Sequence, residues 1–296
     1  MERQKSSSDF KEQFIIEPSE VYNSRRDCVR SSGLKLARKC AEKYHYKYIA
    51  DREEEEEAES KALRFGRLMH MALLEPVRTR ERIRVGPVCD RRTKVGKEAY
   101  EEFQNSLAPD HIVMESKEAD LTLGMISRLM RDKDVPSIFT KGIAERSGYY
   151  IDEATGLWCM FRPDYMVEYT DFIDIYDYKT TADDASYEGF EWAIDKYEYG
   201  ISAAHYVAGS ERLRKKKTNF HWVVQEKTAP YVVGIYSATK ELLDIGEYLR
   251  REALEKIAYC KKNNYWPAYA DGPVNMAPSR RAAWQQLERE EKVLNG

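Results

Sequence analysis

The sequence predicts an α/β fold, a mixed central sheet flanked by helices, and three observations predict it. Two amphipathic helical stretches, Ala62–Leu74 and Ser116–Arg131, come first. From about Ile143 the pattern changes to period two and stays so to Tyr178. Helical character then returns over Tyr187–Arg212, followed by two more strand-like runs and a long amphipathic helix.

Composition sets the limits. The 296 residues suffice for one large domain or two small ones, and 42% apolar content allows a real core. Net charge is only -3, so overall charge does not point to nucleic acid and any such reading must rest on local clusters. The five cysteines, Cys28, Cys40, Cys89, Cys159 and Cys260, are scattered and never form a Cys-x-x-Cys pair. That spacing disfavours a disulfide framework, a zinc ribbon or an iron–sulfur cluster. No apolar signal core opens the chain and no window approaches a membrane span, so the expectation is a cytoplasmic protein.

Met1 to about Asn23 is polar without sustained periodicity and reads as a loosely ordered arm. Arg25–Lys47 is basic, with Arg38 and Lys39 at its centre and Tyr44, Tyr46 and Tyr48 interleaved. Ser31-Ser32 stands where a helix could start, and the cluster suits contact with a phosphate backbone. Asp51–Glu59 is an acidic run, best read as solvated. In Ala62–Leu74, Leu63, Gly66, Met69 and Leu73 support a packed stripe, and Gly66 and His70 share a face. A lone helical histidine is more often structural than a ligand, so its partners elsewhere decide its reading.

Cys89–Lys97 is a second basic loop; Arg91, Arg92, Lys94 and Lys97 suit phosphate contact as well as they suit a plain surface loop. Lys97–Phe103 and Ser116–Arg131 read as helices, the second with Leu121, Met125, Ile126, Leu129 and Met130 as its apolar side. Gly148–Asp152 and Leu157–Asp164 flank a glycine-bearing turn and read as a hairpin, with Glu145 just before it. Phe172–Tyr178 is the next strand. Tyr187–Arg212 reads as a helix broken near Tyr199-Gly200. Asn219–Glu226 and Tyr231–Ser237 are strands, and Ala238–Lys262 is a helix with Leu242, Ile245, Leu249, Ala253, Ile257 and Cys260 inward.

Phe172–Thr181 is the stretch around which the chemistry gathers. Ile173 and Ile175 point to one face, and Asp177 and Lys179 continue it. A carboxylate and an ammonium on a core face are costly unless paired or metal-bound. Asp164, after Arg162-Pro163, ends a neighbouring strand. Two carboxylates on adjacent strands suffice for Mg²⁺, which keeps several waters. Lys179 could then position or deprotonate an attacking water, or stabilise charge growing on a phosphate. A structural ion pair would explain Asp177 and Lys179 alone but not Asp164 and His70.

The combination resembles the PD-(D/E)XK nuclease superfamily, with its restriction-endonuclease-like core, and within it the RecE-like (exonuclease VIII type) phage and prophage branch. The resembling residues are Phe65-Gly66-Arg67-Leu68-Met69-His70, Arg91–Lys97, Gly156-Leu157, Phe161-Arg162-Pro163-Asp164 and Asp177-Tyr178-Lys179-Thr180-Thr181. Tyr197–Tyr206, Val224-Gln225-Glu226-Lys227 and Pro230-Tyr231 continue it, so it covers about Leu63 to Pro267. The chain then divides into a polar arm, basic helix and acidic linker over 1–60, the nuclease domain that the resemblance implies over 61–270, and a tail with a charged helix over 271–296.

By resemblance, His70, Asp164 and Asp177 are metal-site residues, Lys179 is the catalytic lysine, and Glu145 matches an additional acidic ligand. The downstream Gln-x-x-x-Tyr motif of the family is matched at Tyr206, but Ser202 stands where glutamine is expected. Serine is too short for the same contact; Gln225 and His205 are the residues that could replace it. Arg162, Arg38 and Lys39 join the basic loop as expected DNA contacts. The resemblance implies Mg²⁺-dependent (Mn²⁺ substituting) degradation of linear double-stranded DNA from a 5′ end, without an iron–sulfur cluster. It also implies 3′ single strands for a RecT-like annealing protein, a ring-like homo-oligomer, and a bacterial or phage-infected cytoplasm. The alternatives are an endonuclease of the same superfamily and a catalytically weakened DNA-binding protein.

Overall fold

Residues 11–50, 60–270, 272–279, 284–287 and 289–290 are described by the structure, a computed structural model. The acidic run at 51–59 lies outside them. The elements begin with β1 (Gln13–Ile15), α1 (Ser19–Ser24), α2 (Ser31–Lys39) and α3 (Ala41–Tyr48). Next come α4 (Lys61–Leu74), α5 (Pro76–Arg82), β2 (Ile83–Val85), α6 (Lys94–Asn105), β3 (Ile112–Met114), α7 (Ser116–Arg131) and α8 (Val135–Ile138). The strand-rich middle holds β4 (Ile143–Ala144), β5 (Ser147–Ile151), β6 (Trp158–Phe161), β7 (Tyr165–Glu168) and β8 (Phe172–Thr181). Then follow α9 (Tyr187–Lys196), α10 (Tyr199–Arg214), β9 (Lys217–Glu226), β10 (Val233–Ser237) and α11 (Lys240–Asn263).

The central sheet has the order β10-β9-β8-β7-β4. β8 and β9 run parallel from Phe172 opposite Lys217 to Thr181 opposite Glu226, and the other neighbours are antiparallel. A parallel pair needs a crossover, and α9 with α10 supplies it. Those helices cover one face, where Ile173, Ile175, Phe220 and Trp222 meet Phe190 and Ala203. On the other face Tyr178 and Val223 pack against Phe65 and Met69 of α4 and Met125 and Leu129 of α7. The sheet is therefore mixed and covered on both sides, the predicted fold class.

A second sheet, β1-β5-β6, packs against α2, α10 and α11 through Leu34, Tyr150, Phe161 and Leu254. α10 and α11 cross backbone to backbone: a Cβ on Gly246 would stand 2.2 Å from the Gly200 carbonyl oxygen. β2 and β3 form a small parallel pair.

Several expectations are changed by long-range pairing. The hairpin forms, Gly148 opposite Phe161, but it lies in the second sheet. The chain leaves that sheet at Arg162-Pro163, and Asp164 introduces a separate short strand, β7, rather than ending the hairpin. Of the expected loose arm, residues 1–10 lie outside the described residues, and residues 11–23 are tied down: β1 pairs with β5, and the Glu17 carboxylate receives Tyr149 Oη and Arg25. Leu63 is exposed because its face of α4 borders an open cleft. Ile245 is also exposed, since the neighbouring Gly246 takes the contact with α10. Met130 is exposed at the end of α7.

Candidate active site

The β7–β8 register sets Tyr165 opposite Tyr176. Carried one residue further, it brings Asp164 opposite Asp177. Asp177 is buried on the Ile173–Ile175 face, as strand alternation requires. Lys179, two residues on, pairs its ammonium with the Asp177 carboxylate and lies 5.5 Å from the Tyr199 ring centroid. Asp164 Oδ2 accepts a hydrogen bond from the Tyr178 N–H at 2.7 Å. Its other oxygen is 3.3 Å from His70 Nδ1. His70 sits one turn after Gly66 on α4, with its ring 5.4 Å from that of Tyr178.

Glu145 completes the group. Its N–H donates to the Asp164 carbonyl at 3.1 Å, and its φ of 51° is left-handed, which non-glycine residues adopt only at a cost. Arg162 is buried; its Nε donates to Glu145 Oε2 at 2.6 Å and its Nη1 to the Glu17 carbonyl at 3.1 Å. His70, Glu145 and Asp164 each offer a ligand atom, all within 4.8 Å of one another. Asp177 is near enough to influence both His70 and Asp164, but its bonded partner is Lys179.

Charge is arranged unevenly over these groups. Burial pushes the Glu145 carboxyl up to about 7, and Asp164 adds to this against Arg162. Burial also raises Asp177, with Lys179 opposing. Asp164 goes the other way: burial would raise it, but His70, Lys179 and the Tyr178 amide outweigh that and hold it low. Burial would lower His70 and Lys179, yet Asp164 raises the imidazole and Asp177 with Asp164 raises the ammonium.

The donor set fits a divalent cation. Two carboxylates and one imidazole converge, and a cation would offset both the burial that chiefly raises Glu145 and the Asp164 repulsion that adds to it. The oxygens suit Mg²⁺, and the imidazole nitrogen is a natural ligand for Mn²⁺. The group opens into a cleft of about 780 Å³ whose walls include Tyr22, Gly66, His70, Lys179, Tyr199 and Tyr206. Tyr206 packs against Phe161 and Phe220, and burial raises its phenol well above the ordinary range, so it stays protonated.

The expected DNA contacts are distributed differently. Arg162 borders the cleft but holds Glu145. Arg38 and Lys39 converge on the Glu198 carboxylate at the start of α10, and Arg38 also reaches Glu252. Arg91 pairs with Glu115 and stacks on Tyr100, Arg92 pairs with Asp90, and Lys94 lies near Glu98. Lys97 is exposed on α6, and none of these four lines the cleft. Ser202 is half-buried on α10 between Tyr199 and Tyr206. The two possible substitutes are engaged elsewhere: Gln225 bonds Tyr178 Oη and the Met125 carbonyl, and His205 bonds Tyr150 and the Met160 carbonyl.

Residues unmarked by sequence reasoning also reach the site. Tyr22 comes from the ordered arm. Lys35 of α2 bonds the Tyr197 carbonyl at 2.9 Å and is pulled down to about 8, by burial first and then by Lys179. Nothing local distinguished Lys35 from Lys39, the other lysine of its helix.

A family profile, described as a PDDEXK-like domain of unknown function (DUF3799), matches residues 30–275. The chain also resembles a candidate exonuclease from Eubacterium rectale of known crystal structure. The TM-score is 0.60 at 14% identity, over 91% of this chain and 98% of that one, a likeness of fold. A second solved structure, SSO0001, aligns at TM-score 0.29 and 14% identity over 64% of this chain and 85% of that one, too weak to carry an argument. No curated protein matches the chain. Among the described residues no helix is long and apolar enough to cross a membrane.

Proposed function

The chain belongs to the PDDEXK-like DUF3799 family, and from that premise we propose that it is a metal-dependent deoxyribonuclease that hydrolyses phosphodiester bonds in this cleft. The observation that carries the reading is the convergence of His70, Glu145 and Asp164 beside the Asp177–Lys179 ion pair. His70, Glu145 and Asp164 would hold the cation, with Asp177 on its border. When bound, a divalent ion supplies Lewis acidity toward the phosphate and lowers the pKa of its water.

The protein's own groups account for the remaining work. Lys179, ion-paired and held above its ordinary value, is an ammonium at neutral pH. It therefore acts by stabilising negative charge on the phosphate rather than by taking a proton. Asp177 aims that ammonium. Arg162 holds Glu145 toward Asp164. The Tyr178 amide fixes Asp164. Tyr206 offers a protonated phenol to the cleft.

In the finer reading the enzyme is an exonuclease on linear double-stranded DNA, 5′ to 3′. It would leave 3′ single strands for a RecT-like annealing protein and act as a ring-like homo-oligomer in a bacterial or phage-infected cytoplasm. The test is purified protein with Mg²⁺ or Mn²⁺ on duplex labelled at the 5′ or the 3′ end, with closed circular DNA alongside. Release of the 5′ label first, an intact circle, and loss of activity in Asp177→Ala and Lys179→Ala are expected. Cleavage of the circle would make it an endonuclease, and activity surviving both substitutions would overturn the site.

Ser202 favours a second reading, a DNA-binding protein with weakened catalysis, because Gln225 and His205 are committed elsewhere. Calorimetry separates the two: Mn²⁺ binding lost in Asp164→Ala supports the nuclease, and no metal binding at all supports the second reading.

A further inference from the structure

One edge of the cleft is built from exposed rings. Trp192 on α9 and Tyr197 in the α9–α10 link both line it, at 56% and 47% exposure. Single exposed aromatics are ordinary on a protein surface. These belong to a series. The Tyr197 ring lies 5.5 Å from the Tyr199 ring, and Lys179 Nζ is 5.5 Å from the Tyr199 centroid. Lys196 links the outer members, its Nζ 4.1 Å from the Trp192 centroid and 5.1 Å from that of Tyr197. The row thus leads from solvent to the Asp177–Lys179 pair.

Rings interspersed with ammonium groups complement a single strand, in which bases alternate with phosphates. Every base has a face to offer an aromatic side chain, but only when it is unpaired; inside a duplex the faces are already stacked. A protein partner would be met by a broader apolar patch with fewer cations. We propose that Trp192, Lys196 and Tyr197 form a track for unpaired nucleotides of the DNA strand entering the site. Trp192 and Tyr197 stack on bases, and Lys196 neutralises a phosphate between them. This rests on the nuclease reading of the cleft and adds the form of substrate: a strand separated from its complement before it reaches Lys179.

The test is equilibrium binding by fluorescence anisotropy in EDTA, where no cleavage occurs. Three labelled DNAs are compared: a blunt duplex, the same duplex with a single-stranded thymidine extension, and that extension made abasic. The extension should tighten wild-type binding by about tenfold or more, and the abasic version should lose the gain. Trp192→Ala and Tyr197→Ala should each lose most of the gain while binding the blunt duplex as the wild type does, and Trp192→Phe should retain it. Failure of the nuclease reading would appear separately, as no cleavage with metal while the extension preference persists. The track is overturned if the extension gives no gain, if the abasic extension binds as well as the intact one, or if both alanine variants keep the gain. The last result would mark a surface for another partner.

Discussion

Replacing His205 by glutamine should remove an acid sensitivity that one imidazole builds into the fold. His205 is wholly buried on α10. Its Nε2 lies 3.0 Å from the Met160 carbonyl oxygen, and its Nδ1 is 3.3 Å from Tyr150 Oη. A carbonyl only accepts, so Nε2 carries the proton and Nδ1 accepts from Tyr150, whose oxygen receives Arg250 Nη1 at 3.3 Å. The ring is therefore neutral. Burial, then the Arg250 guanidinium, pull its pKa down to about 3 from the ordinary 6.5. Between those values the unfolded chain binds a proton that the folded chain does not. The contribution is full above about pH 6.5 and is lost as pH falls toward 3. At about pH 5 the loss from this group is ~2 kcal/mol. Glutamine can donate to Met160 and accept from Tyr150 without titrating. Urea unfolding at about pH 7.5 and about pH 5 should therefore show a drop in stability that is ~2 kcal/mol smaller in His205→Gln than in the wild type. Equal drops, or an imidazole NMR signal for His205 that titrates near 6.5, would refute the reasoning.

Arg162→Gln should weaken Mn²⁺ binding by about 10- to 100-fold, because it removes the group that holds Glu145 in place; isothermal calorimetry reads it directly. Gly246→Ala should lower stability by about 1–3 kcal/mol, since the added methyl meets the Gly200 carbonyl and the two helices must separate. Thermal unfolding followed by circular dichroism checks this, and an unchanged midpoint would mean that the crossing is looser than the backbone contact indicates.

The fold was legible where local pattern and tertiary role coincide. Phe172–Thr181 alternates, and its alternation alone put Asp177 on the buried face beside Ile175. α7 runs Ser116–Arg131, as its periodicity indicates. What was hidden depends on partners distant in sequence. β1 is three residues long and exists because Tyr149 and Gly148 are there to pair with it. β7 is four residues of Tyr-Met-Val-Glu, too short for alternation to declare, and becomes a strand beside β8. Chemical type was readable for the site, whereas connectivity was not. Arg38 and Lys39 look like any basic pair until Glu198 of a remote helix captures both. Arg162 looks like a phosphate contact until burial against Glu145 and Glu17 makes it a brace.

Glu145 shows most directly why this site is costly to keep. Its carboxyl is half-buried beside Asp164 and pushed up to about 7, by burial first and then by that neighbouring charge. A raised folded-state pKa means stability that is present below the unfolded value of about 4.5 and lost as pH rises through about 7. Above that point the ionised group costs about 3 kcal/mol. Strain of this kind persists where function uses it. Glutamine keeps the left-handed backbone and can still accept from Arg162, so Glu145→Gln isolates the charge. In EDTA the variant should be more stable than the wild type by up to ~3 kcal/mol at about pH 8 and indistinguishable from it at about pH 4. Mn²⁺ should raise the unfolding midpoint of the wild type at about pH 8, because a ligand that binds only the folded state stabilises it, and should raise that of the variant much less. A variant that is less stable at both pH values, or that responds to Mn²⁺ as fully as the wild type, would mean that Glu145 is an ordinary structural partner of Arg162 and that the cation, if bound, is held by other groups.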